Sequence, residues 1–353
     1  MVSESQKTTR TGLSRKAFLS TAVAGIRACT LLVYLLITST AAHAATYYWV
    51  GSGGNTNSGS NWRATAPTSG SDCNANGNTT VPQSWDDVVF DADCDGNATI
   101  ATTNGYFTVT NFTTESGYGG TITPSNGAEL FASDTFSFAG GTYQGANSKF
   151  AAGVFTLSGG TFTAPSGTLL IRDNFTITGG TFNHSNGNVN WLINLVSTRT
   201  YSFDAAGVSF NSVGIYCFSD EDPHEVTIAA NTVIPAKDNQ ISGSRCNLTN
   251  NGTITLGTGT FENWISGTFT NNGTIRTKTT TMTNSAGGTF TNASGSTVEF
   301  IGDGDGAADS SALSSFATTY HHLIINATDG SSDTFTSASN QRSVHSQHQH
   351  CSS

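Results

Sequence analysis

One pattern recurs three times between Asp134 and Asn190. It reads Asp134-Thr-Phe-Ser-Phe-Ala-Gly-Gly-Thr-Tyr143, then Gly153-Val-Phe-Thr-Leu-Ser-Gly-Gly-Thr-Phe162, then Asp173-Asn-Phe-Thr-Ile-Thr-Gly-Gly-Thr-Phe182. Phe136, Phe155 and Phe175 align, as do Phe138, Leu157 and Ile177, and Tyr143, Phe162 and Phe182. The paired glycines begin at 140, 159 and 179, a period of 19 and then 20 residues, and Gly119-Gly120-Thr121-Ile122 is a weaker copy ahead of them. Few folds accept so short a period. A unit of this size cannot bury its own apolar face and must stack on its neighbours, which is the signature of a β-solenoid. In each unit Phe-x-apolar puts two side chains on one face of a strand. Gly-Gly then turns a corner and Thr-aromatic opens the next face. Thr161 and Thr181, beside the apolar column, are expected to face outward.

The pattern extends in both directions. Asn251-Gly-Thr-Ile254 recurs as Asn272-Gly-Thr-Ile275, and Ser266-Gly-Thr-Phe269 as Gly287-Gly-Thr-Phe290, each 21 residues later. Phase is lost between Trp191 and Cys246, where Ser219-Asp-Glu-Asp-Pro-His-Glu225 is a charged insertion. The fold class that follows is all-β, a parallel β-helix of about 20–21 residues per coil. The expected organisation is a signal peptide at 1–44, a Trp-rich N-terminal cap at 45–97, solenoid repeats at 98–335 and a disordered tail at 336–353. If all of 98–335 belongs to the stack, it holds about 11 or 12 coils.

Composition narrows the partners. Charged residues are 11% of the chain and its net charge is -10. Nucleic acid and anionic membranes both require a basic surface, so both are excluded as partners. Lys7, Arg10, Arg15 and Lys16 precede the apolar run Leu31–Ile37, and Ala42-His43-Ala44 forms an A-x-A cleavage site. That is the layout of an export signal, and it leaves no membrane span in the mature chain. In an exported chain Cys73, Cys94, Cys217 and Cys246 are disulfide candidates. Four cysteines allow three pairings, and proximity in sequence favours Cys73 with Cys94 and Cys217 with Cys246.

The N-terminal block has its own character. It runs Thr46-Tyr-Tyr-Trp-Val-Gly51, a Gly/Asn/Ser loop, Asn61-Trp62, Val81-Pro82 and Asp86-Asp-Val-Val-Phe-Asp91. In that order these motifs resemble the opening module of bacterial secreted proteins that continue as adhesin-like β-helix or filamentous surface repeats. The first tract, Gly51 to Trp62, is longer than is usual for that module. The resemblance covers roughly 45–100 by motif and the remainder by repeat style. It implies a secreted or cell-surface protein and carries no catalytic residues. A solenoid end needs a cover against edge-to-edge pairing, so Trp49, Trp62, Val88, Val89 and Phe90 are expected to cover the first coil. The alternative for the block is glycan contact through Tyr47, Trp62 and Trp85, whose flat rings suit pyranose faces.

Two further groups are candidates for chemistry. Asp91-Ala-Asp-Cys-Asp-Gly96 has the D-x-D-x-D-G form of calcium loops, with Asp91, Asp93 and Asp95 as ligands. The Glu that completes an EF-hand is missing, since position 102 is Thr, and an Asx-rich turn is the simpler reading. Asp220, Glu221, Asp222, His224 and Glu225 form a dense ionisable cluster, but in one loop, whereas hydrolysis needs two carboxylates facing each other across a substrate. Calcium apart, no cofactor is expected. The chain reads as a non-enzymatic, secreted or cell-surface structural or adhesive protein whose partners are extracellular surfaces, glycans or further copies of itself. A polysaccharide lyase or hydrolase on a right-handed β-helix, and a glycan-binding module using the N-terminal aromatics, are the alternatives.

Overall fold

The computed structural model of the chain describes residues 44–336, apart from 74–79, 102–104, 146–147, 194–199, 219–222, 245, 259, 279–281, 285–286, 302–309, 313–318 and 327–333. The expected signal peptide apart from Ala44, and the expected tail apart from Thr336, lie outside the described residues. The architecture is an all-strand β-solenoid of about 9 turns. Its helical pieces among the described residues are two 3-10 turns, Gly59–Asn61 and Gly70–Asp72. The described strands stack in parallel, and one antiparallel pairing, Thr46–Trp49 with Trp62–Arg63, closes the first rung.

The first strand stack follows the Phe column. Val88 opposes Phe112, then Phe136, Phe155, Phe175, Phe203, Ile228, Asn250, Asn271 and Asn292 follow in register. Successive members are between 19 and 28 residues apart. The expected 11 or 12 coils are therefore too many. Only the stretch around the Gly-Gly repeat and the last coils keep the short period, and the turns between Phe175 and Ile228 are longer. The rings of Phe112, Phe136, Phe155, Phe175 and Phe203 stack at centroid distances of 5.0, 5.5, 4.9 and 4.4 Å. Such pairs contribute about 0.5–1.5 kcal/mol each beyond the area they bury.

A second stack begins with the first halves of Tyr106–Thr114, Glu129–Phe138 and Lys149–Leu157. It continues through Thr168–Ile171, Asn188–Ile193, Ser212–Phe218, the end of Val233–Ser244, and Phe261–Ile265. A third, smaller stack runs Gly54–Asn55, Ala98–Ile100, Thr121–Pro124, Thr142–Gln144, Thr161–Thr163 and Thr181–Asn183, with Tyr143, Phe162 and Phe182 in register. In the later coils that position after the corner is taken by Thr253–Leu256, Thr274–Thr277, Thr297–Ile301 and His322–Asn326. Alternation along each strand sends every second side chain to the core.

The two glycines of each corner have different tasks. A Cβ on Gly159 would lie 2.2 Å from the Ala139 carbonyl oxygen of the coil before. Gly160 has φ +67°, where L side chains are strained. The first glycine thus permits close stacking of coils and the second makes the bend.

From Asn250 onward the interior column changes chemistry. Asn250 Nδ2 donates to Asn271 Oδ1 at 2.9 Å, and Asn271 Nδ2 donates to Asn292 Oδ1 at 3.0 Å. The same amides donate to the carbonyls of Thr274 and Thr297. Asn250 and Asn271 are fully buried, which is tolerable because each amide is hydrogen-bonded.

The N-terminal block does more than cover an end. Thr46–Trp49 pairs in parallel with Asp87–Phe90, and Gly54–Asn55 pairs with Ala98–Ile100, so the block supplies the first strands of two stacks. Trp49, Trp62, Val88 and Phe90 are fully buried. The rings of Trp49, Trp62 and Phe90 lie within 5.8 Å of one another. Val89, between Val88 and Phe90, faces outward and is half-buried. The disulfides join Cys73 to Cys94 and Cys217 to Cys246.

Candidate functional site

Of the three N-terminal aromatics considered for glycan contact, two are in the core. Tyr47 stands in register with Val88 at the head of the interior column and is 9% exposed, and Trp62 is fully buried with its Nε1–H donated to the Thr56 carbonyl at 2.8 Å. Neither offers a ring face to a ligand. Trp85 does, at 49% exposure. Strand alternation explains the split: Tyr47 and Trp62 occupy inward positions, while Trp85 precedes the strand Asp87–Phe90.

The Asp91, Asp93, Asp95 segment folds as a turn in which its carboxylates serve separate ends. Asp91 Oδ1 accepts the Asp93 backbone N–H at 2.8 Å, an Asx turn, while Asp95 Oδ1 reaches the next coil and accepts the Gly119 N–H at 2.6 Å. Cys94, between Asp93 and Asp95, turns into the core to meet Cys73. Among the described residues no group of three or more His, Cys, Asp or Glu side chains converges to hold a metal ion. In this arrangement Asp91, Asp93 and Asp95 do not converge on a common point.

Asp220, Glu221 and Asp222 lie outside the described residues. The two members of that cluster that are described point opposite ways. His224 is fully buried in register with Cys246, its ring 5.3 Å from Tyr201. Glu225 faces outward, where Oε1 accepts Asn247 Nδ2 at 2.7 Å. Adjacent residues of one strand are bound to diverge in this way, so His224 and Glu225 cannot act on one substrate atom.

What the outer surface does offer is ordered polar rows. Thr121, Thr142, Thr161 and Thr181 stand in register on the third stack, with Thr123, Gln144, Thr163 and Asn183 beside them. Thr161 and Thr181 face outward. On the first stack Ser202, Thr227, Thr249, Thr270 and Thr291 form another row. Several rows are hydrogen-bonded along the axis, as in Asn183 to Thr163, Asn272 to Asn251 and Thr289 to Thr268. Exposed rings break the polar pattern at Tyr106, Phe218 and Trp264. Sequence reading did not single these out. The available signal was that each falls out of phase with the inward residues of its strand.

Ionisation is perturbed at few places. Two donors from Thr68 and the Arg63 guanidinium, 3.0 Å away, hold the Asp72 carboxyl down from 3.8 to about 2. Burial raises the phenols of Tyr118 and Tyr143 above their ordinary value, and at Tyr118 the Asp95 carboxylate adds to this. Asp72 ties down the loop between Arg63 and Cys73, and both tyrosines stay protonated core groups. Compared with protein-family models, with curated proteins and with solved structures, the chain matches none.

Proposed function

We propose that this chain is a secreted, non-catalytic bacterial β-solenoid that acts at the cell surface or in the extracellular matrix as a structural and adhesive element. The observation that carries this reading is the outer surface of the coils. It repeats neutral hydroxyl and amide side chains in register along the stack, and among the described residues no group of three or more His, Cys, Asp or Glu side chains gathers on it. Such a surface makes many weak, equivalent contacts whose sum is avidity rather than one tight site. The export-type N-terminus, the resemblance of residues 45–100 to the opening module of adhesin-like secreted proteins, and two disulfides support the location. No helix among the described residues is long and apolar enough to cross a membrane. The test is a panel of extracellular polysaccharides and abiotic surfaces assayed for both retention and turnover. Retention without turnover is expected, and turnover of any member would overturn the non-catalytic reading.

A further inference from the structure

The outer side of the second stack carries an arrangement unlike the polar rows. Leu192 opposes Tyr216, Tyr216 opposes Ser242, and Ser242 opposes Trp264. Tyr216 and Trp264 therefore share one outward column two coils apart, with a small hydroxyl residue between them. Adjacent strands are about 4.8 Å apart, so the two rings are separated by about 10 Å along the solenoid axis.

Each ring is held in place. A Cβ on Gly214 would fall 2.5 Å from Tyr216 Cε2 and 2.9 Å from its hydroxyl oxygen. The Tyr216 ring thus lies down along the sheet over Gly214, and only glycine leaves room for it. Trp264 is 41% exposed, and its Nε1–H donates to Glu262 Oε2 at 2.9 Å, which orients the indole. Phe218, two residues beyond Tyr216 and on the same side of the strand, is also 41% exposed. Between them Cys217 turns inward to its disulfide with Cys246. The strand that carries two of the rings is therefore anchored through the core, and ordering costs on binding are low.

We propose that this column is a binding row for a neutral, extended β-linked polysaccharide, with Tyr216 and Trp264 as its stacking platforms. This rests on the adhesive reading above and gives it a specific site and ligand class. In an extended β-1,4-linked chain alternate sugars are flipped, so every second sugar presents the same apolar face. The distance between equivalent faces is one disaccharide, close to the two-coil spacing of the rings. Ser242 lies under the intervening sugar and offers it a hydroxyl. Charge selects the occupant further. The column from Leu192 to Trp264 holds no acidic or basic side chain, and the carboxylate of the neighbouring Glu262 accepts the indole N–H. The chain's net charge of -10 repels a polyuronate.

The test is affinity electrophoresis of the oxidised, exported chain through gels containing hydroxyethylcellulose or xylan as neutral β-linked probes, amylose as the α-linked probe and polygalacturonate as the acidic one. Retardation by the first pair alone is expected. Tyr216→Ala and Trp264→Ala should each weaken it about fivefold to tenfold, the worth of one lost ring contact. Gly214→Ala, which lifts the Tyr216 ring from the sheet, should also weaken it, while Tyr106→Ala, at an exposed ring outside this column, should leave it unchanged. Urea midpoints of all variants establish that they fold. Retardation by amylose or polygalacturonate in preference, no retardation by either β-linked probe, or equal retardation of the folded double variant and the parent would each overturn the proposal. Surface retention that survives the double substitution would remove this row and leave the adhesive reading standing, whereas turnover would remove the adhesive reading itself.

Discussion

Gly160 concentrates two demands on one residue. Its φ is +67°, and a Cβ there would lie 2.5 Å from the Gly141 carbonyl oxygen of the coil before. Gly127 has a similar φ of +75° but open space around it. Gly160→Ala is expected to destabilise the protein by about 1–3 kcal/mol for the strained conformation, with the steric clash added. Gly127→Ala should cost only about 1 kcal/mol. Urea unfolding of the two variants separates bend from clash, and equal losses would show that the close approach of coils carries no energy. Asp72 belongs to the same scale. Its carboxyl is held below the unfolded value, so its anchoring is complete above about pH 3.8 and is lost as pH falls toward about 2. Hydrogen exchange in residues 63–73 should rise across that window in the parent. In Asp72→Asn it should be raised already at neutral pH and flat below it.

At the scale of the element, the first stack is two cores in series. One half is held by stacked rings, the other by a chain of amides. Removing a link from the amide chain strands its neighbours. Asn271→Ala takes the acceptor from Asn250 and the donor from Asn292, and each buried group left unpaired costs about 1–3 kcal/mol. A drop of that order in unfolding free energy is the expected result, and a neutral substitution would mean that the column admits water. The Cys217–Cys246 bridge has a different origin of stability. It closes a separation of 29 residues across the irregular turn, and its removal by paired Cys→Ala substitution should cost about 2–4 kcal/mol, chiefly through the unfolded chain. The aromatic column was readable in the repeat because Phe136, Phe155 and Phe175 align by eye. The amide column was hidden because Asn in a Gly- and Thr-rich chain looks like a turn residue. Only the register Ile228, Asn250, Asn271 places it inside.

At the scale of the whole molecule a solenoid is coupled chiefly between neighbours. Phe155→Ala removes a ring that touches Phe136, Phe162 and Phe175, at a local cost of about 3–5 kcal/mol. Exchange protection should fall in the flanking coils from Phe136 to Phe175 and stay near the parent's level around Asn271. A uniform loss along the chain would indicate one cooperative block instead of a series. The same geometry explains why a binding row can sit on one face without disturbing the rest. Outward residues at equivalent positions answer to their coil neighbours, not to the opposite side of the core.

By itself the sequence determined that the chain is a β-solenoid and which side chains of the Gly-Gly coils face inward, while nearness in sequence favoured, without deciding, the cysteine pairs that form. Period, alternation and glycine corners are local properties, and local spacing is enough to express them. The tertiary structure decided which coils are longer, that Tyr47 and Trp62 are core residues, that Asp91, Asp93 and Asp95 do not converge, and that Tyr216 and Trp264 fall in one column. Those are questions of register between strands that lie 19 to 28 residues apart. A shift of one residue in any turn moves a side chain from the surface to the core, so no local pattern could have settled them.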